Sequence, residues 1–149
     1  MLFNVPNVIS PQLLMILHEM GHGDEICLGD GNFPASSMAK ANNAEYLRLD
    51  GLGVNVILDA ILTLVPLDEF TAQPVKLMEK PKGDTTTSPI WGEYAATIAK
   101  HDSRGKNCIQ FIDRFAFYEH AKQCYAIVAT SEQATYANII LKKGVIKSS

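Results

Sequence analysis

The sequence predicts an α/β fold: a single layered domain over residues 1–149, with a sheet flanked by helices. Two observations carry this expectation. Short apolar or β-branched runs alternate with helix-length amphipathic segments along the whole chain, which favours one α/β layer arrangement over separate modules. No linker, repeat or second domain interrupts the 149 residues, a length that suits one domain with a sizeable core.

Ser10-Pro11 followed by Gln12-Leu13-Leu14-Met15-Ile16-Leu17 gives an N-cap, a proline at the first helical position and amphipathic spacing, so a helix is expected to end at Gly21. Glu25 to Gly29 reads as the first strand, and a second helix is expected near Pro34 to Ala39. A strand around Tyr46 to Leu49 then ends in Asp50-Gly51, just as the first ends in Asp30-Gly31. Val54 to Leu64 has helical length and pattern and is stopped by Pro66; Pro74 to Met78 is the next strand. Lys80 to Ser88, with its lysines, proline, glycine and threonines, is a loop. Pro89 to Lys100 reads as a helix with Trp91, Tyr94 and Ile98 on one side, and His101 to Asn107 as a polar turn.

The stretch Phe111 to Glu119 reads as helix, its aromatic side on the sheet and Arg114 paired with Asp113 or Glu119; the helix itself is placed at Arg114 to Gln123. Tyr125 to Ala129 is a buried strand, and Ile139 to Leu141 the last, opened by Tyr136-Ala137-Asn138.

Hydrophobic residues make up 47% of the chain and charged ones 19%, as in ordinary globular proteins. A net charge of −3 without a basic stripe argues against nucleic acid or an anionic membrane as partner. Cys27, Cys108 and Cys124 fit no zinc spacing and read as buried thiols in a reducing compartment. With no long apolar segment, the expectation is a soluble cytoplasmic protein.

Met20-Gly21-His22-Gly23-Asp24-Glu25 is the most informative stretch. Two glycines leave the imidazole uncrowded, and Asp30 lies eight residues on, across the first strand, so a near-neutral proton carrier is expected beside a carboxylate. The structural alternative is that His22 only caps the preceding helix. Ligands of open α/β sheets gather beyond the carboxyl ends of strands, where Asp30 and Asp50 fall.

Arg114 and Tyr118, four residues apart, share a helix face suited to a polyhydroxyl ligand. Tyr136 and Asn138 bind a ligand or satisfy a turn, and Asp68, just after Pro66, caps the next turn by default. His18, His101 and His120 are dispersed, so no metal site is expected. Gly51-Leu52-Gly53 lacks the third glycine of a dinucleotide fingerprint, and phosphate-loop, nucleophile-elbow and His-Glu-x-x-His motifs are absent.

The set His22, Asp30, Arg114, Tyr118, Tyr136 and Asn138 resembles the sugar mutarotase family that contains fucose mutarotase and D-ribose pyranase. The resemblance runs nearly end to end, through Glu19-Met20-Gly21-His22-Gly23-Asp24-Glu25-Ile26, Asn32-Phe33-Pro34-Ala35, Asp50-Gly51-Leu52-Gly53, Arg114-Phe115-Ala116-Phe117-Tyr118-Glu119 and Tyr136 to Val145. The Arg114 to Glu119 segment is similar to the fucose branch. What the resemblance implies is exchange of the α and β anomers of L-fucose, with His22 as proton donor and Tyr118 or a water as relay. It further implies Asp30, Asp68, Tyr118, Tyr136 and Asn138 on the sugar, Arg114 nearby, no cofactor, and a ring-like homo-oligomer with sites near subunit boundaries. Phe33, Trp91 or Phe117 is expected to wall a methyl group on the sugar. D-ribose pyranase, a non-catalytic sugar-binding protein and a purely structural oligomer are the alternatives.

Overall fold

Ser10 accepts the Leu13 N–H on its hydroxyl at 3.1 Å, and Pro11 supplies the fixed φ of a first helical residue. From that cap α1 runs over Pro11–Glu19 in a computed structural model that describes residues 1–148. Met20 closes it by donating to the Ile16 carbonyl, two residues short of the expected Gly21. There follow β1 (Glu25–Gly29), α2 (Ala35–Asn42), β2 (Glu45–Leu49), α3 (Val54–Leu64), β3 (Val75–Met78) and α4 (Pro89–His101). A 3-10 turn at Gly105–Cys108 leads into β4 (Ile109–Ile112), α5 (Arg114–Lys122), β5 (Ala126–Thr130) and β6 (Ile139–Lys142).

The strands form one mixed sheet in the order β2-β5-β1-β6-β3-β4. Of these six, β6 alone runs antiparallel to its neighbours, β1 and β3, while the β2–β5, β1–β5 and β3–β4 pairs are parallel. Its direction positions the site: β6 enters the sheet where β1 leaves it. Leu28 faces Ile139 across the ladder and Glu25 faces Lys142, so Tyr136 to Asn138 arrive beside Asp30 while Lys143-Gly144 depart beside Asp24.

Strand alternation sends Ile26, Leu28, Val128, Ile139 and Leu141 to one face, covered by α1, α3 and α4, and Cys27, Ile127, Ile140 and Met78 to the other, covered by α2 and α5. Both faces being covered, the central strands read as continuous apolar runs. The second face is smaller; its anchor is Phe117, fully buried and edge-on to Phe33 at 6.0 Å.

Four expectations change here. Residues 109–112 are a strand at the sheet edge, and the helix begins only after Asp113, whose carboxylate caps the Ala116 N–H at 2.9 Å. Arg114 pairs with neither Asp113 nor Glu119; the latter holds Lys122, and the guanidinium lies over the Phe115 ring at 5.1 Å. Tyr136 to Asn138 precede β6 without joining it, Tyr136 having φ 55°. His101 ends α4 and hydrogen-bonds Asp59. The three cysteines are buried and unpaired, as expected. Among the described residues no helix is long and apolar enough to cross a membrane.

Candidate active site

Five of the residues expected at a site come together in one cavity of about 330 Å³ beyond the carboxyl ends of β1 and β3: Asp30, Arg114, Tyr118, Tyr136 and Asn138. Asp30 follows β1 directly and is only 6% exposed. Its carboxylate accepts the Asn32 N–H at 2.9 Å and the Ala137 N–H at 3.5 Å, while its own N–H donates to Asn138 Oδ1 at 2.7 Å. That last bond fixes the Asn138 amide, leaving its NH₂ as the group free to donate.

Helix α4 holds the opposing segment. Trp91 donates its indole N–H to the Tyr136 carbonyl at 2.8 Å, and buried Tyr94 donates to the Ala137 carbonyl at 2.7 Å. Both bonds brace Tyr136 in the left-handed region, a conformation costing a non-glycine residue about 1–2 kcal/mol. Arg114 and Tyr118 come from one face of α5, as their spacing implied.

The lining is amphipathic. Phe33 and Met78 give it an apolar side. Of the three aromatics considered for that wall, Phe33 takes the place; Trp91 stands behind Tyr136 and Phe117 is in the core. Burial raises the Asp30 carboxyl above its ordinary range, against the N–H groups of Asn32, Ala137 and Phe33. Two lining residues, Asp84 and Thr86, come from the stretch read only as a loop. Asp50 is absent from this cavity and pairs with Arg48 at 3.0 Å on the exposed sheet edge.

His22 is elsewhere. It precedes β1, whereas Asp30 follows it, and five residues of extended chain separate the two ends by roughly 17 Å. The partner of His22 is Asp68, Nε2 to Oδ1 at 2.9 Å, and not Asp30 as its position in the sequence suggested. Gly21 donates to Asp24 at 2.8 Å, and Gly23 takes φ 86°, a left-handed value few other residues adopt, so the chain turns tightly around the histidine. The imidazole side chain is 47% exposed.

Asp68, 3% exposed, is fully engaged. Oδ1 also accepts the Phe70 N–H at 3.2 Å, and Oδ2 the Thr71 hydroxyl at 2.6 Å. It thus caps its turn as the default reading had it. Burial alone would raise this carboxyl, but the Thr71 hydroxyl, the His22 ring and the Phe70 N–H outweigh it and hold it below the ordinary range. An ionised carboxylate only accepts, so His22 Nε2 carries the hydrogen and Nδ1 remains free to exchange a proton.

Arg104 fixes the turn by donating to the carbonyls of Asp68 at 3.0 Å and Thr71 at 3.1 Å, with Asp102 bracing the guanidinium at 2.9 Å. Nothing in the sequence tied Arg104 to this turn, because the carbonyls it holds there lie more than thirty residues away. Among the described residues no group of three or more His, Cys, Asp or Glu side chains is placed to hold a metal ion.

A small cavity offering acceptors from Asp30, donors from Arg114 and Asn138, phenols and an apolar side suits a compact polyol with both hydroxyls and a hydrocarbon edge. The chain belongs to the RbsD / FucU transport protein family, whose model matches residues 4–146. It is 45% identical to fucose mutarotase of Mus musculus over 147 residues, covering 95% of this chain and 93% of that one. Among solved structures it is similar to FucU from Bifidobacterium longum, with TM-score 0.94, 51% identity and coverage of 97% and 99% of the two chains. It is also similar to the fucose mutarotase of Streptococcus pneumoniae in complex with L-fucose, with TM-score 0.90, 44% identity and coverage of 98% and 100%.

Proposed function

We propose that the protein is an isomerase exchanging the α and β anomers of L-fucopyranose by general acid–base opening and closure of the hemiacetal ring. The observation that carries this reading is the likeness, over 98% of the chain, to a fucose mutarotase captured with L-fucose. The pocket supports it independently, since Phe33 and Met78 suit the methyl group of a 6-deoxy sugar while the polar lining suits its hydroxyls.

Opening the ring requires a proton on the ring oxygen and loss of one from the anomeric hydroxyl; rotation about C1–C2 then lets the other aldehyde face close. No redox change or cofactor enters this balance. Positioned general acid–base catalysis typically supplies about 10²–10⁴-fold. His22 is the proposed proton donor: with Nε2–H held by Asp68, it delivers a proton carried on Nδ1 to the ring oxygen, while Tyr118 or a water takes the anomeric proton and the imidazole is reprotonated when the ring closes. Asp30, Arg114, Tyr136 and Asn138 bind hydroxyls. Asp68, whose two oxygens already accept three internal bonds, holds and orients His22 instead of touching sugar.

One sugar ring is far too small to reach both His22 and Asp30 within one subunit. The reading therefore includes a ring-like homo-oligomer in which the His22–Asp68 corner of one subunit completes the pocket of the next. Phe70, 77% exposed against the His22 ring, and Ile146, 72% exposed, supply apolar surface for such a contact. A cytoplasmic location belongs to the same reading, and three unpaired thiols fit a reducing compartment.

Saturation transfer between the anomeric protons of L-fucose tests the activity: exchange above the spontaneous rate is expected. Acceleration with D-ribose alone would move the assignment to the pyranase branch, and binding without exchange would leave a sugar-binding protein. The pH profile follows from Asp30. If its carboxylate must be ionised to hold the sugar, exchange falls as pH drops through a midpoint above the ordinary carboxylate value of about 3.9. An acid limb at or below that value would remove Asp30 from the role.

A further inference from the structure

The pocket contains a second carboxylate to which the acid–base scheme gives no task. Asp84 lines the same cavity as Asp30 and Arg114 and accepts the phenol hydrogen of Tyr136 on Oδ2. Its Oδ1 is occupied by Thr86, through the N–H at 2.9 Å and the hydroxyl at 2.6 Å. Lys80 donates to the Thr86 carbonyl and lies 5.0 Å over the Trp91 ring, whose indole N–H holds the Tyr136 carbonyl. Tyr136 is thus gripped twice, at its main chain by α4 and at its hydroxyl by Asp84.

A phenol has one hydrogen and two lone pairs. With the hydrogen given to Asp84, Tyr136 meets a ligand only as an acceptor. Left to water, the same hydroxyl would rotate and present either polarity. We infer that Asp84 is a positioning residue that fixes the hydrogen-bond polarity of Tyr136, so that the pocket selects a sugar hydroxyl donating at that point. The Thr86 and Tyr136 hydroxyls, with the Thr86 N–H, draw the Asp84 carboxyl down to about 2, so it stays an acceptor across the neutral range. The αL strain at Tyr136 fits this assignment, because a strained residue held at both ends is held in one orientation.

The inference rests on the sugar-isomerase reading, and the test separates the two. Trp91 is the only tryptophan of the chain and touches Tyr136, so its fluorescence gives a Kd for L-fucose whether or not turnover occurs. Asp84→Ala is expected to raise that Kd about five- to tenfold, with a larger rise in KM than fall in kcat. Asp84→Asn, which keeps one acceptor oxygen where Asp84 uses two, recovers only part of the loss. In a Tyr136→Phe background Asp84→Ala adds nothing further, since there is no hydroxyl left to orient. Wild-type binding by Asp84→Ala, or a loss of equal size in both backgrounds, overturns the inference. A wild-type chain that binds L-fucose without exchanging its anomers defeats the isomerase reading and leaves the cycle readable in Kd; one that does not bind L-fucose defeats both.

Discussion

An equal mixture of His22→Gln and Asp30→Asn subunits is expected to restore about a quarter of wild-type anomer exchange, although each variant alone runs at the spontaneous rate. Each single change removes a group from every site: His22→Gln loses the acid, on the order of 10²–10⁴-fold, and Asp30→Asn loses the carboxylate that holds the sugar. In mixed rings a site is complete only where a His22 from one subunit meets an Asp30 from the other kind, and random assembly gives half of one half. His22 is half exposed and Asp30→Asn is isosteric, so both variants should keep the wild-type Tm. Co-expression with two affinity tags followed by saturation transfer reads the result. A mixture as inactive as its components would overturn the shared site, since His22 and Asp30 would then have to act from one and the same subunit.

Gly144→Ala is expected to cost about 2–3 kcal/mol and most of the activity, through the turn that carries Asp68. A methyl group there would stand 2.5 Å from the Leu67 carbonyl oxygen and 3.0 Å from the Asp68 Cα. Those are main-chain atoms, tied by Gly144 donating to the Pro66 carbonyl at 2.9 Å and Asp68 donating to that of Lys142 at 3.0 Å, so no rotamer change relieves the clash. The Leu67–Asp68 chain must shift, and Asp68 moves off His22. Thermal unfolding and anomer exchange measured on one preparation check both effects. A stable variant with lost exchange would still locate Gly144 behind the His22–Asp68 pair, whereas wild-type values for both would show that the turn gives way freely.

Much of this was legible in the residues. The cap of α1 and the apolar periods of α1, α3 and α4 are local, and all three helices stand within two residues of where they were expected. Strand β4 was not legible: Ile109 to Ile112 is short, and no turn residue separates it from the Asp113 cap of α5. At the site, Arg114 with Tyr118, and Tyr136 with Asn138, could be read because each pair is close in sequence. The pairing of His22 was misjudged because proximity along the chain pointed to Asp30, while the turn carrying Asp68 arrives from 46 residues away beside the departing end of β6. Asp84 gave no signal at all, being one polar residue in a loop until Tyr136 is seen against it.

The lone antiparallel strand has a consequence for counting. Because β6 begins at the pocket and ends beside the His22 corner, the two halves of the proposed site face opposite ends of each subunit, so the contact required by the proposed ring would run head to tail. Such contacts close into rings or continue as open rows. A closed ring holds as many complete sites as subunits, an open row one fewer, and a solitary subunit none. The protein would then gauge its own concentration: diluted below the point where rings persist, it falls silent with every residue intact.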